Sequence, residues 1–434
     1  MATVPARNGR TSLLPRMRSS ELWSYFGPAF VASIAYIDPG NFAANFDGGS
    51  RFGYKLLWVL LWSNLMAILV QYLAAKLGIA TGKTLPQNCR DRFSRPVTIF
   101  LWITAEISAM ATDLAEFLGA ALGFYLLFGP RFLLYGWNKT EILLVAAVFS
   151  AICVFAILLL ELWGFRKLEL GIMGFVCIIG VCYAIEMLMI RPHWSAVALH
   201  ALVPMLDGSS VYIAVGMLGA TVMPHVVYLH SALVQPRGQI EISETPRGKF
   251  LARAHHLRYE TIDVFVAMNG AWIVNSAMVI VAAAVFGGHA LANPIEDAHH
   301  TLGPLLGPAS ALVFAIALLC SGLSSSTVGT MAGQVIIEGF LNVRFSIFLR
   351  RLLTLIPAIA VIASGLDPLR ILILSQVVLS FALPFALVPL LLLTGNRDVM
   401  SRFVNSRATH SLGWLTVGVI IALNLFLLWQ TFTG

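Results

Sequence analysis

Two stretches, Ala35-Tyr36-Ile37-Asp38-Pro39-Gly40-Asn41 and Ala220-Thr221-Val222-Met223-Pro224-His225-Val226, decide how this chain folds. Each lies inside a long apolar segment and each is cut by a proline. Aligned on Pro39 and Pro224, Ala35 falls on Ala220 and Asp38 on Met223, so the two share an Ala-x-[Ile/Val]-x-Pro pattern. A proline inside a helix lacks the amide donor, and its ring clashes with the carbonyl four residues back. Both segments are therefore expected to be helices interrupted near their middles.

The rest of the chain is that of an integral membrane protein. Mean hydropathy is +0.83, and of the 434 residues 58% are hydrophobic and 11% charged. At roughly 20 residues per span, about ten to twelve transmembrane helices fit. Spans are expected near residues 22–49, 55–78, 96–125, 141–163, 169–190, 209–234, 261–287, 308–334, 352–365, 368–394 and 412–433. Met1 to Ser20 is polar and basic, and no cleavable signal is expected there. No polar stretch is long enough for a soluble domain, and no Gly-x-x-x-x-Gly-Lys-[Ser/Thr] loop is present, which argues against an ATP-driven pump. No nucleophile has a partner base at useful spacing, so neither an enzyme nor a resident cofactor is expected.

The net charge of +7 and pI near 9.3 do not mark a nucleic-acid binder. Roughly 21 of the 28 Lys and Arg residues fall in the N-terminal tail and in alternate loops, the cytoplasmic bias of the positive-inside rule. The N-terminus is thus expected inside and, with eleven spans, the C-terminus outside, in a cell inner or plasma membrane. No obligate protein partner is evident beyond the bilayer itself. Because five is odd, spans one to five and six to ten face opposite ways, and the two broken helices enter from opposite sides. The expected fold is all-α, a 5+5 inverted repeat with helices 1 and 6 broken mid-membrane and a peripheral eleventh helix. Its parts are a tail over 1–20, a first repeat over 21–208, a second over 209–394, and a loop with the last span over 395–434.

Paired breaks in corresponding halves point to a transporter's binding site, and freed backbone at membrane depth must line a cavity or bind something. Asp38 supplies a carboxylate, Asn41 an amide oxygen, and Ala35 and Ala220 offer carbonyls. Met223 decides which ion suits them. A thioether gives Ca²⁺ or Mg²⁺ almost nothing, whereas manganese, iron, cobalt or cadmium accept it. His225 is read as a ligand, a proton carrier or a structural hydrogen-bonder. In the third span Glu106 and Asp113 share one helical face, with Glu116 one turn beyond. Intramembrane carboxylates often mark proton relays, and the other reading is a structural ion pair with Arg350 or Arg351. His230 and Asn275 are weaker candidates for the same polar route. His299-His300 beside Asp297 reads as an external metal-gathering patch or a solvated loop.

The motifs Asp38-Pro39-Gly40-Asn41 and Met223-Pro224-His225, followed by Tyr228-Leu229-His230-Ser231, resemble the paired signatures of the Nramp family. Met110-Ala111-Thr112-Asp113-Leu114-Ala115-Glu116-Phe117, Arg166-Lys167-Leu168-Glu169 and Ser324-Ser325-Ser326-Thr327-Val328-Gly329-Thr330-Met331-Ala332-Gly333-Gln334 agree, and the resemblance runs across essentially the whole membrane chain. It implies a fold shared with sodium-coupled amino acid symporters and proton-coupled transport of Mn²⁺ or Fe²⁺ as cargo. It also implies that Asp38, Asn41, Met223 and the Ala220 carbonyl bind metal, joined in some states by Gln376 on the tenth span. Asp113 becomes the implied proton acceptor, continued by Glu116, Arg350 and Arg351. Many relatives have Asn after the His where this chain has Val226, which puts a polar role at that position in doubt. Branches that carry Mg²⁺ or Al³⁺ replace the Met. Two rivals remain on residues alone: a cation-coupled symporter of an organic solute, and a metal uniporter or channel without proton coupling.

Overall fold

The computed structural model describes residues 27–206, 208–235, 245–287, 293–344 and 346–433, and the regular elements among them are helical. In chain order they are α1 (Pro28–Ala35), α2 (Pro39–Phe52), α3 (Leu57–Thr81), α4 (Leu85–Arg92), α5 (Arg95–Leu134), α6 (Lys139–Leu158), α7 (Phe165–Met189) and α8 (Trp194–Leu202). The second half has α9 (Val211–Thr221), α10 (Pro224–Leu233), α11 (Pro246–Phe286), α12 (Pro294–Leu306), α13 (Pro308–Leu341), α14 (Ile347–Ala363), α15 (Pro368–Gly395), α16 (Arg397–Met400) and α17 (Arg407–Thr433). Nine segments among the described residues are long and apolar enough to cross a membrane. The α2 half of the broken first helix is joined to α3 in one 43-residue segment of that set, and the 17-residue α14 is the expected span outside it. Residues 22–26 of the first expected span lie outside the described residues.

Both expected breaks are present. Pro39 opens α2 and Pro224 opens α10, each at a first-turn position where the missing amide costs nothing. Proline therefore does not kink one helix here; it ends one half and starts the next.

Several helices outrun their expected spans. α5 is 40 residues long and α11 is 41, because hydropathy marks only the part in hydrocarbon while the hydrogen-bond ladder runs on to a local stop. α5 stops just before Gly136 at φ 83, and α13 before Asn342 at φ 56. α11 starts well before its apolar part, where the Thr245 hydroxyl accepts from Gly248 N at 3.1 Å. The connecting helices α4, α8, α12 and α16 were not expected, since short helices of mixed composition leave no hydropathy peak.

Burial sorts the bundle. The apolar window of α9–α10 is 94% buried, against 28% for α7, 33% for α17 and 39% for α6. The sixth span is the hub, and the eleventh is peripheral along with the fourth and fifth. Small residues bring the inner helices together. A side chain at Gly322 of α13 would stand 2.5 Å from the Ala120 amide of α5, and Gly119 of α5 lies directly against Pro39. The third span thus abuts the first break.

Candidate metal centre

Asp38 is the N-cap of α2. Its carboxylate accepts from Asn41 N at 2.8 Å and Gly40 N at 3.1 Å, the usual satisfaction of orphan amides at a helix start. The Asn41 side-chain amide then ties both breaks together. Its Nδ2 donates to Asp38 Oδ1 at 2.7 Å and to the Ala220 carbonyl of α9 at 2.8 Å. Gln376 of α15 closes the set from a third side, with Nε2 donating to Asp38 Oδ2 at 3.4 Å. Gly40 admits it, because a side chain there would overlap the Gln376 amide. Met223 caps α10 in extended conformation with φ −90 and ψ 124, matching Asp38 at φ −79 and ψ 167. Ala35 closes α1, and it, Asp38, Asn41, Ala220, Met223 and Gln376 are all fully buried. The Oδ1 of Asn41 and Oε1 of Gln376 are buried with no hydrogen-bond partner. Among the described residues there is no cluster of three or more His, Cys, Asp and Glu side chains that suits a metal. The donor set is one carboxylate, two amides, a thioether and backbone.

The unwound residues are held from outside. Asn275 Nδ2 of α11 donates to the Tyr36 carbonyl at 2.7 Å, and Ser321 Oγ of α13 donates to the Ile37 carbonyl at 2.5 Å. These are the carbonyls freed by the first break, so the exposed ladder is answered by side chains.

The third-span carboxylates lie beside this centre on α5. Asp113 faces Arg351 at 3.7 Å, and Glu106 pairs with Arg350 at 2.8 Å. Arg350 and Arg351 are both buried in the bundle. Arg351 also donates to Ser326 Oγ at 2.5 Å and lies 5.5 Å from the centre of the Phe117 ring. Two glycines of α13 make the room. A side chain at Gly329 would overlap Glu116 Oε2 and stand 2.9 Å from Asp113 Oδ1, and one at Gly333 would overlap the Arg350 guanidinium. His225 meets this group through Thr112, whose Oγ1 lies 3.1 Å from His225 Nδ1. Because Thr112 already donates to the Ser108 carbonyl at 3.0 Å, it must accept from His225, which leaves the buried Nε2 of His225 as a bare acceptor.

Residues 29–430 match the family model described as natural resistance-associated macrophage protein-like. The chain belongs to the Nramp family. It is 48% identical over 431 residues to the divalent metal cation transporter MntH of Caldanaerobacter subterraneus, covering 99% of this chain and 98% of that one. It is 50% identical over 414 residues to the MntH of Deinococcus radiodurans, covering 94% and 90%. Its backbone superposes on the crystal structure of the Eremococcus coleocola manganese transporter with a TM-score of 0.81 at 33% identity, covering 97% of this chain and 90% of that one. A nucleobase-cation symporter, Mhp1, matches at TM-score 0.58 and 15% identity, a likeness of fold alone.

In this Nramp chain two expected residues fall elsewhere, Asn275 on Tyr36 and Asn45, and His230 farther off. His230 does not join the third-span carboxylates. Its Nδ1 meets Gln71 Oε1 at 2.8 Å and its Nε2 meets Glu260 Oε1 at 3.0 Å, while Gln71 Nε2 donates to the Tyr36 hydroxyl at 2.5 Å. An amide oxygen only accepts, so Nδ1 carries a proton. The close approach of Nε2 to a carboxylate oxygen then needs a second proton shared by His230 and Glu260. One turn on, Asp263 Oδ2 accepts from Gly27 N at 3.2 Å and Ala29 N at 2.9 Å, pinning the start of α1. Tyr36, Gln71, Glu260 and Asp263 were missed. The last two were findable as ionisable residues at a span's inner end, Glu260 just outside the expected 261–287 span and Asp263 just within it. His299 and His300 sit on helix α12 rather than a loop, with rings 5.6 Å apart, and burial helped by His300 holds His299 down at about 4.

Proposed function

We propose that this protein imports divalent transition metal, Mn²⁺ foremost and Fe²⁺, Co²⁺ or Cd²⁺ besides, by alternating access driven by the proton gradient. The observation that carries the reading is the Asn41 amide, which touches Asp38 of one broken helix and the Ala220 carbonyl of the other at once. An ionised carboxylate at the bilayer centre costs at least ~2.5–3.5 kcal/mol, so Asp38 calls for a cation. Amide oxygen and nitrogen are interchangeable by a half-turn of the side chain. Rotating Asn41 and Gln376 would aim their two unpartnered oxygens at the ion that Asp38 attracts. Met223 adds the soft donor that disfavours Ca²⁺ and Mg²⁺. The relatives' printed names, divalent metal cation transporter and manganese transporter, support the cargo.

Protons take a different path from the metal. Asp113 and Glu116, with His225 on one side and Arg350 and Arg351 on the other, form the relay. Arg351 pairs with Asp113, and the space at Gly329 is bordered by the carboxylates of both Asp113 and Glu116, which sets them side by side for proton transfer. The charge bias of the loops supports a cytoplasmic N-terminus and an outside C-terminus in a cell inner or plasma membrane. Full burial of the site disfavours a channel, which would need a continuous path.

Titration calorimetry of Mn²⁺ into the purified protein tests the site. Asn41→Ala and Asp38→Ala are expected to weaken binding by tenfold or more. Binding unchanged in both would remove the broken helices from the metal site.

A further inference from the structure

A basic cavity lies at the end of the bundle where α11 begins. Its volume is about 940 Å³, and it is lined by Arg247, Lys249, Arg253 and Arg402 with no acidic residue among its described lining. Its floor is apolar, made by Phe250, Leu251, Met400 and Phe403. Arg402 lies 5.3 Å from the centre of the Phe250 ring, which packs on Phe403 at 5.2 Å. Arg253 Nη1 donates to the Ala80 carbonyl at 2.8 Å. Ala80 is the next-to-last residue of α3 and Met400 closely follows the end of α15, so the floor sits where two spans leave the bilayer. α11, at 1.5 Å per residue, is about 60 Å long, twice the ~30 Å of hydrocarbon. Its first turns therefore run on beyond the hydrocarbon, and the Arg253–Ala80 contact fixes the basic end at the level where α3 leaves it. They also present the positive end of the helix dipole.

We propose that this cavity binds the phosphate-bearing headgroup of an anionic phospholipid. Four cations with no carboxylate among the described lining repel one another until an anion joins them. Basic pockets of this kind between membrane helices take lipid headgroups. A free phosphate would need the cations alone. The aromatic and aliphatic floor at the membrane edge matches the glycerol and first acyl carbons of a lipid. The site is remote from Asp38 and stands whether or not the transport reading holds.

The test is native mass spectrometry of the full chain in detergent, with phosphatidylglycerol and phosphatidylcholine added in equal amounts. The wild type is expected to retain phosphatidylglycerol at least tenfold over phosphatidylcholine. Each cation is worth about fivefold against an anionic lipid, so Arg402→Gln should weaken phosphatidylglycerol about fivefold and Arg247→Gln with Arg402→Gln about 25-fold, phosphatidylcholine being unchanged. Phe250→Ala should weaken the lipid as well. Equal retention of the two lipids by the wild type overturns the proposal even if the variants fail to fold. Unchanged affinity in a folded double variant overturns it too. Displacement of phosphatidylglycerol by inorganic phosphate at the same concentration would reassign the cavity to a free anion.

Discussion

Gly329→Ala reaches the proton relay without touching the metal centre. A methyl group there would stand 2.9 Å from Asp113 Oδ1 and 3.2 Å from Glu116 Cδ, where ordinary contact begins at 3.4 Å. Asp113 must retreat by about half an ångström and Glu116, whose Oε2 the methyl would overlap, by about twice that, or the two must part company, and Asp113 is held only at 3.7 Å from Arg351. Overpacking of this kind costs about 1–3 kcal/mol. Alanine returns up to about 1 kcal/mol through helix propensity, so the fold survives. The local penalty falls on the state in which both carboxylates share the gap, and at 1.4 kcal/mol per decade it disfavours that state roughly 5- to 150-fold. Proteoliposomes loaded with a pH dye should show Mn²⁺ affinity within about twofold of wild type and acidification per Mn²⁺ reduced at least fivefold. Gly180→Ala, with open space around the added methyl, is the control and should change neither. A Gly329→Ala protein that acidifies as fast per metal as wild type would refute the shared-gap mechanism.

Met223→Ala should keep Mn²⁺ transport at reduced affinity while Ca²⁺ or Mg²⁺ begins to compete, measured as inhibition of radiolabelled Mn²⁺ uptake; undiminished exclusion of Ca²⁺ would make the sulfur mere packing. Asp263→Ala removes the acceptor at the start of α1, a cap worth about 0.5–2 kcal/mol, and should open the inner side. In a background with its native cysteines replaced, Ala32→Cys should then label faster from the cytoplasmic side, and an unchanged rate would leave Asp263 a bystander. Glu260→Gln alone should destabilise the protein by about 3–5 kcal/mol because it strands a buried partner. Adding His230→Phe should recover much of that, and strictly additive losses in thermal unfolding would deny the pair.

Asp38 and Met223 were legible because a carboxylate or a thioether beside a proline in an apolar run has few bland explanations. The breaks themselves followed from proline's missing amide. Other parts had no sequence signature. A tyrosine and a glutamine in spans, as at Tyr36 and Gln71, look like any interfacial polar residue until they meet each other across helices. Gly329 and Gly333 are unremarkable in a membrane helix, and their use exists only opposite the carboxylates of α5 and the arginines of α14. His230 sits within six residues of His225 in sequence, yet the helix turns it toward Gln71 and Glu260, so proximity in the chain misassigned its route. Glu260 was hidden by a boundary drawn from hydropathy, which cannot see a helix continuing into polar sequence, and Asp263, two residues inside that boundary, has a role only opposite the start of α1.

Metal–proton cotransport through the two broken helices is tested most directly by uptake into liposomes with Mn²⁺ outside and a pH dye inside, wild type against Asp38→Ala. Cotransport predicts Mn²⁺ entry with internal acidification in the wild type and the loss of both in the variant. Mn²⁺ entry without acidification, or entry that survives Asp38→Ala, would contradict it.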